Sequence, residues 1–502
     1  MAFNAAIDTF AGGVLTVNPS TPCRFRFIVC SDFLDNRVLR VVEHNSVTSA
    51  PPYAAVSYPW RGLQAASATP PDTFFRVPLE GGNSDPISLA VLRTACLAAR
   101  QTGADLLWID QICIMQTSVQ DRDWQIGRMF DLYDRCQVSL VLPGGLRRLA
   151  AHDEGTNWIE RSWTLQEALP RATHVVFAWG LGAGELQGLT SGRICEVEQG
   201  RSATMELGKL LQAAYVGSVL YRGQNIPINL FGKNRDPILA LMAVKEASGR
   251  EMRDVAVWRS ALLRTCSQPR DMILSIMGIF GVRLDVGRYR EGDRERAAVD
   301  LAFDILKSGR SASWLGAAPA CANLPSMCSM PAFPAVDGRE AYYVVAGCKR
   351  KPWEVMGSGL DWYVTPTATA RMQQEGIGRL QLTAKSLPVA VQGVKQNGSP
   401  FWGGFGFDAS LVLDGGVERG RRVDMGLSSP IEAGDYRAVE IGLVEHFSLP
   451  ATAAKTMRGA ALLMILKRDP SMDGWENVAY GTIVDVGSVT RTWPRGVYPI
   501  GR

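Results

Sequence analysis

Tyr53-Ala-Ala-Val-Ser-Tyr-Pro-Trp60, Leu107-Trp-Ile-Asp-Gln-Ile-Cys-Ile-Met-Gln116 and Trp158-Ile-Glu-Arg-Ser-Trp-Thr-Leu-Gln-Glu167 decide how this chain is read. In each, a short apolar run ends in polar and aromatic residues. A buried strand or helix delivers side chains to the rim of a sheet in this way. Three such deliveries within about one domain length predict a single composite site.

The flanking residues agree with an α/β sheet. Residues 25–29 and 38–42 are strand-like and form a lead-in. Residues 53–58 read as a buried strand, ended by Pro59 and Gly62. A polar insertion rich in Pro and Gly covers 64–85. Leu89, Leu92, Ala95, Cys96 and Ala99 fall at helical spacing in 88–101, and Gly103 stops that helix. Residues 106–109 are the next strand, with Asp110 at its C-terminal end. A helix over 120–135 carries Ile126, Met129, Phe130 and Tyr133 on one face. A strand at 138–142 closes on Pro143-Gly-Gly, and a helix at 162–169 and a strand at 174–177 follow. Strands alternating with helices predict a parallel sheet flanked by helices, an α/β domain of about 20–180 within a first region of 1–180.

Residues 181–315 are expected to be a helical region, from the helix-period apolar positions in 238–244, 257–263 and 297–306. The segment from Pro269-Arg-Asp to Gly278 has suitable helix ends. Residues 316–337, rich in Ala, Pro, Cys and Met, read as a linker. Short apolar runs between Gly, Asn and Pro turns make 338–502 a β-rich C-terminal domain, a sandwich or barrel.

Bulk properties narrow the function. At 502 residues the chain exceeds one ordinary core and predicts two to four domains. Its 46% apolar and 20% charged residues are a globular balance. The formal charge of +4 leaves no footprint for nucleic acid, and none is expected as a partner. Ten cysteines show no paired spacing and no histidine cluster, so no metal site is expected and the compartment reads as reducing. No signal peptide or lipidation signal is evident, and the longest apolar runs, such as 460–466, are too short to span a bilayer.

Three constellations carry chemistry, each with a plainer reading beside it. Asp110, just past a buried strand, could hold a ribose hydroxyl or orient a partner side chain; equally it could cap the following turn. Glu167 stands four residues after Trp163, on the same helix face. An acid beside an indole suits acid/base or electrostatic work; the plainer reading is a surface acid paired with Arg161 or Arg171. The loop Ser57-Tyr-Pro-Trp-Arg61-Gly62 could grip a phosphate or stack on a base, or serve as a rigid turn with an aromatic plug. Gly180-Leu-Gly-Ala-Gly lacks the rest of a dinucleotide fingerprint and reads as a loop. No P-loop or nucleophile elbow is present, and Cys113 reads as an inert core thiol.

The three segments resemble, in order, wording and spacing, the motifs of the fungal heterokaryon-incompatibility (HET) domain. Those motifs are a Tyr-x-Ala-Leu-Ser-Tyr-x-Trp-Gly strand, a Leu-Trp-Ile-Asp-x-x-Cys-Ile-x-Gln strand and a Trp-x-x-Arg-x-Trp-Thr-x-Gln-Glu helix. Here Arg61 is inserted before the expected glycine of the first. The resemblance covers about 50–180 and implies a cytoplasmic protein of non-self recognition and regulated cell death. A fainter likeness is to the TIR domain, in which a Ser-x-Trp-Cys-x-x-Glu-Leu segment supplies the catalytic glutamate of NAD-cleaving members. Trp163 and Glu167 keep that spacing, with Thr164 at the cysteine position. By this resemblance the fold is TIR-like and Glu167 is catalytic. NAD would be a substrate, with no cofactor held permanently. Ser57, Tyr58, Trp60, Arg61, Asp110, Gln111 and Trp163 would line the nucleotide. The alternative is a non-catalytic signalling module that self-associates or binds a protein partner.

Overall fold

A computed structural model describes the chain except residues 1–2, 16–19, 66–72, 188–190, 319–320, 338–339, 346, 357–361, 373–378, 397–406, 414–421, 427–433, 447–459, 470–473, 484–492 and 501–502. The chain divides into two compact units. One comprises residues 1–238 with 285–288, the other 239–284 with 289–502.

The first unit is built on a twelve-stranded mixed sheet. Its strands are β1 (Phe3–Ala6), β2 (Phe25–Val29), β3 (Val38–His44), β4 (Tyr53–Ser57), β5 (Leu106–Trp108), β6 (Val138–Val141), β7 (Thr173–Ala178), β8 (Gly184–Gln187), β9 (Gly192–Glu198), β10 (Ser202–Glu206), β11 (Ser218–Tyr221) and β12 (Gln224–Pro227). The spatial order is β1-β3-β2-β5-β4-β6-β7-β10-β9-β8-β11-β12. The four strands β5, β4, β6 and β7 are mutually parallel. Antiparallel strands extend the sheet on both sides, β2 along β5 and β10 along β7. Taken in chain order, the parallel strands lie 2-1-3-4, a doubly wound arrangement. Every residue of β4, β5 and β6 is buried, as a sheet covered on both faces requires.

Helices α1 (Cys30–Asp35), α2 (Leu89–Gln101), α3 (Asp110–Cys113), α4 (Val119–Ile126), α5 (Met129–Asp134) and α6 (Thr164–Glu167) surround the parallel strands. Ser88 caps α2 by accepting from the Val91 N–H, and Leu92, Ala95, Cys96 and Ala99 lie at 0% exposure against the sheet. The helix expected over 120–135 is two helices, because the chain turns at Gly127 and Arg128. The break lets α5 lie across the sheet. There the Tyr133 hydroxyl donates to the Val56 carbonyl (2.8 Å) and the Tyr53 hydroxyl to the Leu132 carbonyl (2.6 Å).

The described residues between 184 and 227 correct the expected helical region. They form β8 to β12 of the sheet, joined through α7 (Leu207–Val216). The β11–β12 hairpin turns on Arg222 (φ 49°) and Gly223 (φ 78°), both left-handed, as a primed two-residue turn demands.

The second unit contains helices α8 (Arg250–Leu262), α9 (Asp271–Met277) and α10 (Arg294–Lys307). Trp258 anchors them, stacked on Phe280 at 5.0 Å and edge-on to Trp314. The stretch expected as a linker is packed rather than open: Met327 and Met330 are fully buried on the short strand Met327–Pro331. The β-rich expectation for the C-terminal part holds. Strands β13 (Trp362–Pro366), β14 (Thr369–Met372), β15 (Leu380–Gln396), β16 (Phe407–Leu413), β17 (Arg422–Gly426), β18 (Tyr436–His446), β19 (Ala460–Asp469), β20 (Gly474–Ile483) and β21 (Arg495–Ile500) form one sheet. The long β15 pairs both β16 and β18, which closes the sheet into a barrel. The apolar run at 460–466 is part of β19, with Ala461 to Leu466 buried. No described helix is long and apolar enough to cross a membrane.

Candidate functional site

The carboxyl ends of β4, β5 and β6 meet where the parallel order reverses. Crevices at such reversals are where doubly wound sheets bind ligands. Ser57 ends β4, fully buried, and its hydroxyl sits between two partners. The Trp158 indole Nε1–H donates to Ser57 Oγ at 2.8 Å, and Ser57 Oγ donates to Glu167 Oε2 at 2.6 Å. A buried indole N–H and a carboxylate thus share one hydroxyl, which uses the donor and an acceptor lone pair of a serine together. The Glu167 backbone is fixed as well: its carbonyl accepts from Ser139 Oγ at 2.7 Å, from within β6. Glu167 ends α6 and is half-buried.

Asp110 forms a second cluster. It opens the short α3, and its two carboxylate oxygens accept from the Tyr58 hydroxyl and the Trp60 Nε1–H. The Gln111 N–H donates to Oδ1 at 2.6 Å, and Gln116 Nε2 donates to the Asp110 carbonyl at 2.8 Å. The side chain keeps some contact with solvent, yet enough protein surrounds it that burial pushes its carboxyl above the usual range. The hydrogen bonds from Tyr58, Trp60 and Gln111, and the charge of Arg161, pull the other way. Burial first, then the Asp110 charge, raises the Tyr58 phenol well above its usual value, so Tyr58 stays a donor. The Tyr133 phenol is raised too, by burial and then by the charges of Glu167 and Asp110. One buried tyrosine therefore feels both carboxylates.

The loop between the clusters needs its glycine. A Cβ on Gly62 would lie 2.1 Å from the Gly144 carbonyl oxygen and 2.7 Å from Gly145 Cα. Leu63 N–H donates to that same carbonyl at 2.8 Å. The inserted Arg61 is accommodated on the exposed side, and Gly62 supplies the close approach to the Pro143-Gly-Gly turn.

Among the expected site residues, Ser57 and Glu167 come together, as do Tyr58, Trp60 and Asp110. Gln111 adjoins Asp110 through its backbone; its side chain is buried, with Oε1 lacking a partner among the described residues. Arg61 is exposed, and Trp163 packs its half-buried ring against the apolar core. The indole joined to Glu167 through Ser57 is Trp158, not Trp163. Tyr133 and Ser139 were missed because each sits among apolar residues and reads as core, and Trp158 because an indole opening a motif carries no sign that its N–H meets Ser57. Gln166 was missed as well; it is buried, with Nε2 unpartnered among the described residues. Cys113 is fully buried and its thiol is pushed up to about 12, which fits an inert core residue.

Two features outside the motifs hold the site in place. Arg26 and Asp121, both fully buried, pair at 3.0 Å, and Arg26 also donates to the Cys113 carbonyl at 3.0 Å. Asp121 accepts from the Met115 N–H at 2.9 Å. The strand-end segment that carries Asp110 is thereby tied to β2 and α4. Among the described residues no three His, Cys, Asp or Glu side chains gather as a metal ion would require.

Residues 53–148 match the family described as Heterokaryon incompatibility protein (HET), so the chain carries a HET domain there. The matched span contains the first two motif segments and ends before the third. No curated protein and no solved structure matched the chain.

Proposed function

We propose, for a chain that carries a HET domain, that it is a cytoplasmic effector of fungal non-self recognition and regulated cell death that cleaves NAD through Glu167, as TIR-like hydrolases do. The Trp158–Ser57–Glu167 chain of hydrogen bonds beside the Tyr58–Asp110–Trp60 cluster carries this reading. It offers an oriented carboxylate and a second whose charge reaches the same buried Tyr133, at the sheet end where ligands bind.

The chemistry asks little of the protein beyond placement and charge. The bond between ribose C1′ and the nicotinamide nitrogen breaks, and its electron pair leaves with nicotinamide. C1′ becomes cationic, and the Glu167 carboxylate stabilises it electrostatically. Water then adds to C1′ and releases a proton. Ser57 holds the carboxylate by donating to Oε2. Asp110 Oδ2, which accepts only from Trp60 among the bonds described above, retains one lone pair for a ribose hydroxyl. Trp60, 38% exposed, offers a face to the base, and exposed Arg61 a charge to the phosphates. Purified full-length protein should consume NAD, and Glu167→Gln should lower the rate by about 100-fold or more, in line with the loss of a single transition-state charge contact.

A second reading keeps the domain as a non-catalytic module. Its supporting observation is that the Glu167 carboxylate is already engaged by Ser57 while Trp163 packs on the core. In that case the motifs build the core and an interface for self-association or a protein partner. Concentration-dependent assembly without NAD turnover would favour it.

A further inference from the structure

The barrel of the second unit carries a solvent-open pocket of about 480 Å³, wide enough to seat a small organic ligand rather than one simple ion. Arg437, Arg468 and Arg495 line it, contributed by β18, β19 and β21. Among the described residues no acidic side chain lines the cavity, and none of the three arginines forms an ion pair. Lys385 stands directly opposite Arg495 in the β15–β21 ladder and adds a fourth cation nearby. Like charges directly opposite each other destabilise a ladder. The barrel thus maintains a concave, positively charged spot at a cost that a bound anion would offset.

The remaining wall is aromatic. Trp475 lies directly across from Arg468, with the Arg437 guanidinium 5.9 Å from its ring centroid, and Tyr498 meets Trp475 edge-on at 5.8 Å. The Tyr498 hydroxyl is hydrogen-bonded to the buried Ser386 Oγ, which fixes the ring. Three guanidinium forks beside an indole and a phenol suit phosphate oxygens joined to an organic body. Arginine binds phosphate bidentately, which lysine cannot.

We infer that this cavity is a binding site for a phosphate-bearing ligand, with the phosphates on Arg437, Arg468 and Arg495 and the organic part along Trp475 and Tyr498. The site lies wholly within the barrel and is independent of the NAD reading.

The test is calorimetric titration of the full chain with pyrophosphate and with inositol trisphosphate, beside flotation with phosphatidylcholine vesicles with and without a phosphoinositide. Nucleotides are avoided, because they could occupy the α/β unit. Saturable binding that weakens about tenfold or more in Arg468→Gln, and further in the Arg468→Gln/Arg495→Gln pair, is expected. Arg468→Lys, which keeps the charge and loses the fork, should fall between. Binding to phosphoinositide vesicles alone, with the same arginine dependence, would support the site and name a lipid headgroup as the source of phosphate. Both arginines are exposed, so the variants should melt as the parent does. No binding of any probe, or equal binding by the folded double variant, would overturn the inference.

Discussion

Ser57→Ala isolates the interaction on which the site rests. Ser57 has no exposed surface, and its hydroxyl serves Trp158 and Glu167 at 2.8 and 2.6 Å. Alanine leaves the buried indole N–H without its acceptor, at about 1–3 kcal/mol. It also removes a charge-assisted hydrogen bond of about 1.5–3 kcal/mol, part of which water restores because Glu167 is only half-buried. The net loss should be about 2–4 kcal/mol. For a unit of this size that lowers the melting temperature by roughly 4–16 °C. Denaturant titration followed by tryptophan fluorescence, and differential scanning calorimetry, both read it. A cycle with Trp158→Phe removes the cavity and packing terms common to the single variants, and a coupling of about 1–2 kcal/mol is expected. Effects that add within about 0.5 kcal/mol would show that the two groups do not share a hydrogen bond that matters, and the argument for an organised Glu167 would fail.

Three other perturbations separate the supports of the fold from its chemistry. Asp121→Ala removes the closer of the two carboxylates paired with the fully buried Arg26, leaving Glu43 at 3.4 Å, and should cost about 3 kcal/mol, the low end for a broken buried pair, seen as a lower denaturation midpoint. Gly62→Ala places a methyl group against the Gly144 carbonyl and should cost about 1–3 kcal/mol, measured in the same way. His174 is held neutral by burial, so its folded-state value lies below 6.5. The unfolded chain therefore binds the proton first as pH falls below about 6.5, and stability should decline from there toward the lower folded value. A melting-temperature profile from pH 7 to 5 should be flatter for His174→Gln than for the parent.

The parallel core was legible because its signals are local. Ser88 before a helical period, Gly103 after it, and apolar runs ended by Pro59 or Pro143-Gly-Gly are marks that tertiary context had no cause to override. The antiparallel extension was not legible in the same way. Its hairpin turns on Arg222-Gly223, not the Asn-Gly or Asp-Gly pair that announces such a turn, and the longer helical patterns from 238 onward coloured the reading of 184–227. At the site, the motif acids and the Ser57–Trp60 loop stood out as polar residues ending apolar runs. Trp158 did not, because a tryptophan reads as packing whatever its neighbours; its N–H matters only once Ser57 is brought to it from 101 residues away. Arg26 was invisible for a related reason: an arginine inside a strand gives no hint that Asp121 waits beneath it.

NAD consumption by the purified full-length protein, with Glu167→Gln and Ser57→Ala beside it and folding checked for each, tests the central claim most directly. The account predicts nicotinamide release that Glu167→Gln abolishes and Ser57→Ala reduces. Absence of turnover across the accessible concentration range, or turnover that folded Glu167→Gln retains, would contradict it.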